Sequence, residues 1–390
     1  MIDDKDIIYE QSDRRILGSG GREDRLWLEL NDRYSLFDWG AMPDRIANRA
    51  SALSVIAAHI FERLENPEIW QQTAVSPALK PLRSDWLERR WNHLIFCHVL
   101  NEHGLATHYR GLAGEEGRPV TMRAAASAGG RVLLDIVRSR YLLPTATGLA
   151  GRPVYFYPLP DTNEKRRHLP LEFVFRFGIP KDDPPSQRLL TDHVYSRGLG
   201  LEMPAVIGRL FERPVLEFYS SGESIRRLLS IQEALSISGL TPGIFEEAIE
   251  ISYNIALALH SMFSALGLEL WEGKLEYIVG ADGLRLADTI GPDRLRLFRG
   301  GTELGDGLLK HAYAGSDWAA AVGQAKRQAW EAGSHDWRSI CSSELGSEPE
   351  PLDAAFKSKA DQMYGTLANH ILDRQLFENH PTLDEFVASL

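Results

Sequence analysis

The stretch "KLEYIVGADGLRLAD" (residues 274–288) holds one lysine and two acids inside an apolar pattern that predicts a single β-hairpin. A loop at residues 281–283 puts glycine where the backbone needs positive φ, and it places Glu276 directly opposite Asp288. Like charges directly opposite each other destabilise a strand pair. The hairpin therefore predicts a cation between the two carboxylates.

Two carboxylates in this arrangement suit Mg²⁺, which binds a couple of protein carboxylates together with phosphate oxygens and water. Lys274 lies on the same strand face as Glu276 and can reach a phosphoryl oxygen as a point charge. A surface hairpin in which Lys274 neutralises both acids fits the same residues. The pattern alone leaves both interpretations open.

The composition is that of a globular protein with enough length for two packed lobes: 390 residues, 44% hydrophobic and 25% charged. A net charge of −11 opposes a nucleic-acid backbone, so no nucleic-acid partner is expected. Cys97 and Cys341 have no CxxC partner, which argues against a disulfide framework or a cysteine zinc site. The acidic start and the lack of an apolar run of about 18 residues predict a cytoplasmic protein without a membrane partner.

Hydrophobic periodicity predicts further elements around the hairpin. They are a strand at 24–31, a helix at 49–65, a strand at 171–177, a helix at 242–265 capped by Thr241, a helix closing at Gly333 and a final helix near 353–377. Residues 111–162 receive no assignment. On the strand at 171–177, Glu172 and Arg176 lie opposite four large apolar residues, so this strand either borders a cleft or carries a solvent-facing ion pair.

Five ordered blocks carry a resemblance to a known family: "NDRYSLFD" (31–38), "ATHY" (106–109), "LPLEFVFR" (169–176), "EGKLEY" (272–277) and "LADTIGPDRLR" (286–296). Their order and approximate spacing are similar to those of the SAICAR synthetase family, the phosphoribosylaminoimidazole-succinocarboxamide synthases. The resemblance implies an α+β fold with two lobes, related in plan to protein kinases, with ATP between the lobes. Residues 1–165 would form a β-rich lobe with the nucleotide loop. Residues 166–390 would form an α+β lobe with the metal-binding hairpin and a helical tail.

The resemblance also implies a reaction. ATP phosphorylates a carboxylate, and the amine of L-aspartate then displaces phosphate from the acyl phosphate. The expected cofactors are ATP and Mg²⁺. The expected partners are a phosphoribosylated small-molecule carboxylate and an amino acid, and a homo-oligomer is allowed.

The same resemblance assigns roles to individual residues. Glu276 and Asp288 match the family's magnesium ligands, and Lys274 and Glu272 are the expected catalytic residues. Arg14, Ser12 and Lys274 are expected to bind the nucleotide. The expected substrate-binding residues are Ser35, Asp38, Glu172, Arg176, Arg226 and Arg296.

Several positions depart from the family pattern. Ser12 stands at the loop lysine, Gln11 at the loop glycine, and Arg226 and Arg227 stand where the family has acids. A reversed charge beside the substrate should alter which ligand is preferred. We therefore predict a divergent ligase of purine-like or C-nucleoside natural-product biosynthesis. The alternatives are the housekeeping enzyme of purine biosynthesis, a kinase-like phosphotransferase and a non-catalytic binding module.

Overall fold

The computed structural model consists of two antiparallel sheets flanked by helices, with a small hairpin between them in sequence. It describes residues 7–19, 23–92, 95–127, 131–149, 152–158, 165–180, 187–201, 205–334 and 336–390. The strands are β1 (Ile7–Glu10), β2 (Arg14–Gly18), β3 (Arg25–Leu30), β4 (Tyr109–Ala113), β5 (Leu133–Val137), β6 (Thr145–Leu149), β7 (Arg152–Phe156), β8 (Arg166–His168), β9 (Leu171–Gly178), β10 (Leu210–Ser220), β11 (Leu228–Leu229), β12 (Glu269–Gly280), β13 (Gly283–Ala287), β14 (Leu295–Arg299) and β15 (Thr302–Glu303).

The helices fall around and after these strands. They are α1 (Arg49–Glu65), α2 (Pro67–Ala74), α3 (Ser84–Asn92), α4 (Ile95–His103), α5 (Met122–Ser127), α6 (Gln187–Thr191), α7 (His193–Gly198), α8 (Ile231–Ser238), α9 (Pro242–Ala265), α10 (Asp306–Tyr313), α11 (Asp317–Ala332), α12 (Trp337–Ser339), α13 (Ala354–Leu372) and α14 (Leu383–Ser389). None of the helices in the described part of the chain is long and apolar enough to span a bilayer.

The N-terminal sheet has the strand order β1-β2-β3-β5-β4, and the C-terminal sheet runs β11-β10-β9-β12-β14-β15 with β8 and β13 also paired to β12. Helix α1 packs on the N-terminal sheet and on α13, and α9 packs on β12. One continuous hydrophobic core runs through both sheets. The predicted lobe boundary after residue 165 falls between β7 and β8 and stays a prediction.

Several predicted elements are confirmed. Helix α1 has the predicted bounds, α9 begins with Pro242 after the Thr241 cap, and α11 ends at Gly333 in the left-handed conformation. The apolar face of β9 is fully buried, as its alternation predicts. The helix predicted near 353–377 is α13, which stops at Leu372 because Asp373 takes a left-handed backbone (φ 49°), and a further helix, α14, follows it. The unassigned stretch forms β4, α5, β5 and the β6–β7 hairpin.

The predicted register of the opening hairpin is wrong by one residue. Gly280 pairs with Gly283, so the turn contains two residues and Glu276 lies opposite Ala287 rather than Asp288. Gly283 has the expected positive φ (90°), but it belongs to β13 rather than to the turn. Asp288 follows the last paired residue and takes a left-handed backbone (φ 60°).

Strand β12 changes partners along its length. Residues 269–275 pair with β9 and β14, whereas residues 276–280 pair with β8 and β13. Lys274 and Glu276 therefore lie on either side of the position where the ladder divides, and this division creates the candidate site.

Candidate active site

A cavity lies between the two sheets. Its lining includes Tyr9, Arg14 and Leu28 from the N-terminal sheet and His168 and Glu276 from the C-terminal sheet. Asp288 and Arg294 also line it. The predicted metal ligands thus face an internal space bounded by both sheets.

A single arginine joins Glu276 and Asp288, which we call the acid pair. Arg294 Nη1 lies 3.4 Å from Glu276 Oε1, and Arg294 Nη2 donates a hydrogen bond to Asp288. Arg14, the first residue of β2, donates a second hydrogen bond to Asp288. The cation that the hairpin predicted between the acids is, in this structure, a guanidinium group.

The two carboxyl groups of the acid pair have opposite pKa shifts. Burial, together with the nearby Asp288 charge, raises the pKa of Glu276 to about 8. Burial also acts to raise the pKa of Asp288, but Arg14 and Arg294 outweigh it and hold that pKa below the ordinary value.

The donor set fits Mg²⁺ held together with a nucleotide. No group of three or more His, Cys, Asp or Glu side chains suited to a metal occurs among the described residues. Two carboxylates leave most coordination positions for phosphate oxygens and water, which is how proteins usually bind Mg²⁺. Glu276 and Asp288 are the residues that would hold the ion.

The β1–β2 turn supplies the expected nucleotide loop. The Gln11 N–H donates to the Arg14 carbonyl oxygen (2.9 Å), and the Ser12 carbonyl oxygen accepts from Asn31 Nδ2 (3.1 Å). Besides Asp288, Arg14 forms salt bridges with Asp13 (2.9 Å) and Asp293 (3.4 Å). The turn is therefore bound to the C-terminal half of the site through one arginine.

Two cationic side chains, Arg226 and Lys274, form a cationic group around Glu172. Arg226 Nε lies 2.5 Å from Glu172 Oε2, and its guanidinium lies 3.7 Å from the centroid of the Tyr219 ring. Glu172 favours the charged form of Lys274, but burial and the neighbouring cations outweigh it and lower the pKa of Lys274. Glu172, Lys274 and Arg226, three predicted site residues, are thus brought together.

Three other predicted residues form an internal row of ion pairs. Glu272 lies opposite Arg176 on β9 and opposite Arg296 on β14. Arg176 is buried between Glu272 and Glu217, and its Nε lies 2.6 Å from Glu217 Oε2. Arg296 pairs with Glu303 through two hydrogen bonds of 2.6 and 2.8 Å. Arg176 and Glu172 therefore do not form the solvent-facing pair that the strand pattern allowed.

Ser35 and Asp38 lie in a strained turn after β3. Phe37 and Asp38 both have positive φ (53° and 63°), which is uncommon for residues other than glycine. Ser35 Oγ accepts from the Gly40 N–H, and Asp38 Oδ2 lies 2.7 Å from Lys326 Nζ. Partial burial acts to raise the pKa of Asp38, but Lys326, Lys274 and Arg226 lower it, so this turn lies near the cationic group around Glu172.

Sequence reasoning missed Arg294 and the aromatic wall of the cavity. In "PDRLR" it selected the second arginine, Arg296, and passed over the first. The wall is a stack in which Tyr141 lies between Tyr9 and His168, with ring centroids 5.0 and 3.8 Å apart. The three residues are far apart in sequence, so no local pattern indicated their contact.

The fold is of the α+β class, with two antiparallel sheets and a cavity between them. Residues 164–310 match the family model described as SAICAR synthetase. A relative from Archaeoglobus fulgidus, provisionally named phosphoribosylaminoimidazole-succinocarboxamide synthase, is 27% identical over 363 residues, covering 93% of this chain and 92% of the relative. The chain is therefore similar to the SAICAR synthetase family, as the sequence blocks predict.

Solved structures agree on the fold. A SAICAR synthase aligns with a TM-score of 0.54 at 12% identity, covering 95% of both chains. A SAICAR synthase from Saccharomyces cerevisiae, solved with SAICAR, aligns with a TM-score of 0.53 at 11% identity and 95% coverage of both chains. The predicted fold class is therefore confirmed, and the chain is similar to ATP-dependent carboxylate–amine ligases. The roles of its site residues stay predictions.

Proposed function

We propose that this protein joins a phosphoribosylated heteroaryl carboxylate, of the aminoimidazole ribotide type, to the amine of the amino acid L-aspartate. The observation that carries the proposal is the acid pair, Glu276 and Asp288, in the lining of a cavity between the sheets. Lys274 and Arg226 lie around Glu172, which is close to Glu276. Two acids for a metal next to several cations for anionic substrates is what acyl phosphate formation needs.

The reaction balances in two steps. A carboxylate oxygen of the heteroaryl substrate attacks the γ-phosphorus of ATP, and ADP leaves with the electrons of the broken bond. The amino nitrogen then attacks the acyl carbon, phosphate leaves, and the nitrogen loses a proton. The amide, ADP and phosphate are the products.

Each group of residues has a defined task in this proposal. Glu276 and Asp288 would hold Mg²⁺, which neutralises charge on the transferring phosphoryl group when bound. Lys274 donates to a phosphate oxygen, and burial together with the neighbouring cations lowers its pKa. Arg226 binds an anionic group of the carboxylate substrate. The cavity between the sheets would shield the activated acyl group from water.

Two substrate candidates have separate support. The relative from Archaeoglobus fulgidus favours carboxyaminoimidazole ribotide, the substrate of the housekeeping alternative. Arg226 stands where the family pattern has an acid, and it forms a salt bridge with Glu172. This reversed charge favours a related carboxylate of a purine-like or C-nucleoside pathway. A cytoplasmic location and a homo-oligomer remain predictions.

The deciding experiment incubates the protein with ATP, Mg²⁺, L-aspartate and carboxyaminoimidazole ribotide, and it measures ADP release and product mass. An amide product with equal ADP supports the proposal. The matched control replaces the ribotide by analogous heteroaryl carboxylates, which separates the two candidates. A stable phosphorylated product formed without any amine would instead indicate a phosphotransferase, and no ADP with any of these acids would contradict the proposal.

A further inference from the structure

One side chain to which the family resemblance assigns no role, Arg294, lies at the centre of the candidate site. Arg294 contacts both members of the acid pair, and its Nη1 also lies 3.9 Å from Glu172 Oε1. Three carboxylates from different segments thus share one guanidinium. The same side chain lines the cavity between the sheets, where a nucleotide would bind.

Hydrogen bonds hold both the backbone N–H and the carbonyl oxygen of Arg294, whereas one nitrogen of its side chain has no acceptor among the described residues. The Lys274 N–H donates to the Arg294 carbonyl oxygen (3.1 Å), and the Arg294 N–H donates to the Gly291 carbonyl oxygen (2.8 Å). The buried Nε of Arg294 finds no hydrogen-bond partner among the described residues. A buried donor without an acceptor is unfavourable, so an arrangement that gives this guanidinium another acceptor is favoured.

Charge makes the present arrangement incompatible with a bound metal. Arg294 and Arg14 already neutralise Asp288. A divalent cation placed between Glu276 and Asp288 would lie within a few ångströms of both guanidinium groups, and like charges repel strongly at such distances. Phosphate oxygens, by contrast, match the planar fork of an arginine.

We propose that Arg294 exchanges partners. It serves as the counter-ion of Glu276 and Asp288 while no metal is bound, and it binds the phosphate oxygens of the nucleotide once a divalent metal takes the acid pair. The inference rests on the proposed nucleotide and metal site. It explains how two buried acids stay close together before the substrates arrive.

The first test measures metal binding without nucleotide. Mn²⁺ is titrated into the full chain and followed by electron paramagnetic resonance, comparing wild type with Arg294→Gln and Arg294→Lys. Removing the competing charge should tighten Mn²⁺ binding roughly tenfold or more in Arg294→Gln, whereas Arg294→Lys should stay near wild type. The matched control is Arg285→Gln, on the same hairpin, because Arg285 pairs with Asp282 outside the acid pair.

The second test measures phosphate binding with the metal present. At saturating Mn²⁺, a non-hydrolysable ATP analogue should bind Arg294→Gln roughly tenfold more weakly than wild type, because a charge-assisted hydrogen bond is lost. A purely structural arginine would not give opposite changes for metal and nucleotide. Unchanged or weaker Mn²⁺ binding in Arg294→Gln overturns the exchange, and so does unchanged binding of the analogue.

A third variant separates this inference from the proposed site itself. Asp288→Asn should abolish Mn²⁺ binding if the acid pair is the metal site. Loss of binding there, without tightening in Arg294→Gln, overturns the role of Arg294 alone. Mn²⁺ binding that is the same in wild type and Asp288→Asn removes the metal site and the inference with it.

Discussion

Arg14 and Asp288 form a salt bridge between the two sheets although 274 positions separate them in the chain. The arginine is the first residue of β2, directly after the β1–β2 turn, and the aspartate follows β13. Both side chains are largely buried. The salt bridge joins the segment of the expected nucleotide loop to an expected metal ligand. Nucleotide binding by Arg14 and metal binding by Asp288, the two predicted functions, therefore both involve this one contact.

Asp288→Asn should reduce turnover at least ~100-fold while the fold is retained, because a neutral amide is a poor ligand for Mg²⁺ and metal assistance contributes several kcal/mol. ADP release measures turnover, and circular dichroism with a thermal melt checks the fold. Asp282→Asn is the matched control, since Asp282 lies in the turn of the same hairpin and pairs with Arg166 and Arg285. Retained activity in Asp288→Asn would remove the metal assignment.

Gly273→Ala should destabilise the protein by about 1–3 kcal/mol, because overpacking displaces neighbouring groups. A methyl group at residue 273 would lie 2.2 Å from Phe175 Cζ and 2.6 Å from Leu295 Cδ2. Urea unfolding gives the free energy of unfolding. Gly148→Ala is the control, since a methyl group there meets no atom within 4 Å, and it should change stability by less than about 0.5 kcal/mol. Equal stability of the two variants would contradict the close packing of Phe175 and Leu295 against Gly273.

The sequence predicted elements whose signal is local. The alternation on β9 identifies four large apolar residues that are buried, and the Thr241–Pro242 pair marks the start of α9. The end of α11 at Gly333 follows from the left-handed conformation that glycine accepts easily. The five blocks then indicated the same family that the comparisons find similar.

Other features depend on contacts that the local pattern does not contain. The hairpin register depends on whether Gly283 belongs to the turn or to β13, and one residue of difference moves Asp288 out of the ladder. Strand β5 is buried along its whole length, so its apolar run has no alternation to detect. Arg294 reaches the acid pair because of the 291–294 turn, which sequence spacing does not describe.

His168→Phe should make stability less sensitive to acid. Burial, assisted by His108, holds the pKa of His168 at about 3, below its ordinary value of 6.5. His168 is neutral in the folded state, so the stability it confers is complete above pH 6.5 and is lost as the pH falls towards 3. Phenylalanine retains the stack on Tyr141 and cannot be protonated.

The change is measured by urea unfolding at two pH values. Between about pH 7 and pH 4.5, wild type should lose about 2–3 kcal/mol more than His168→Phe, at about 1.4 kcal/mol for each pH unit below 6.5. His103→Gln is the control, because the His103 side chain is 74% exposed. Parallel losses in wild type and His168→Phe would contradict the buried, neutral state of His168.

Arg226→Gln should raise the KM for the carboxylate substrate about 10–100-fold and change kcat much less. A charge-assisted hydrogen bond to an anionic group contributes about 1.5–3 kcal/mol, and Arg226 provides such a donor beside Glu172 and Lys274. Steady-state kinetics with the carboxylate varied at saturating ATP measures the effect. Arg227→Gln is the matched control, since the adjacent arginine pairs with Glu223 instead (2.7 Å). Equal effects of the two substitutions, or a change confined to the KM for ATP, would show that Arg226 does not bind the carboxylate.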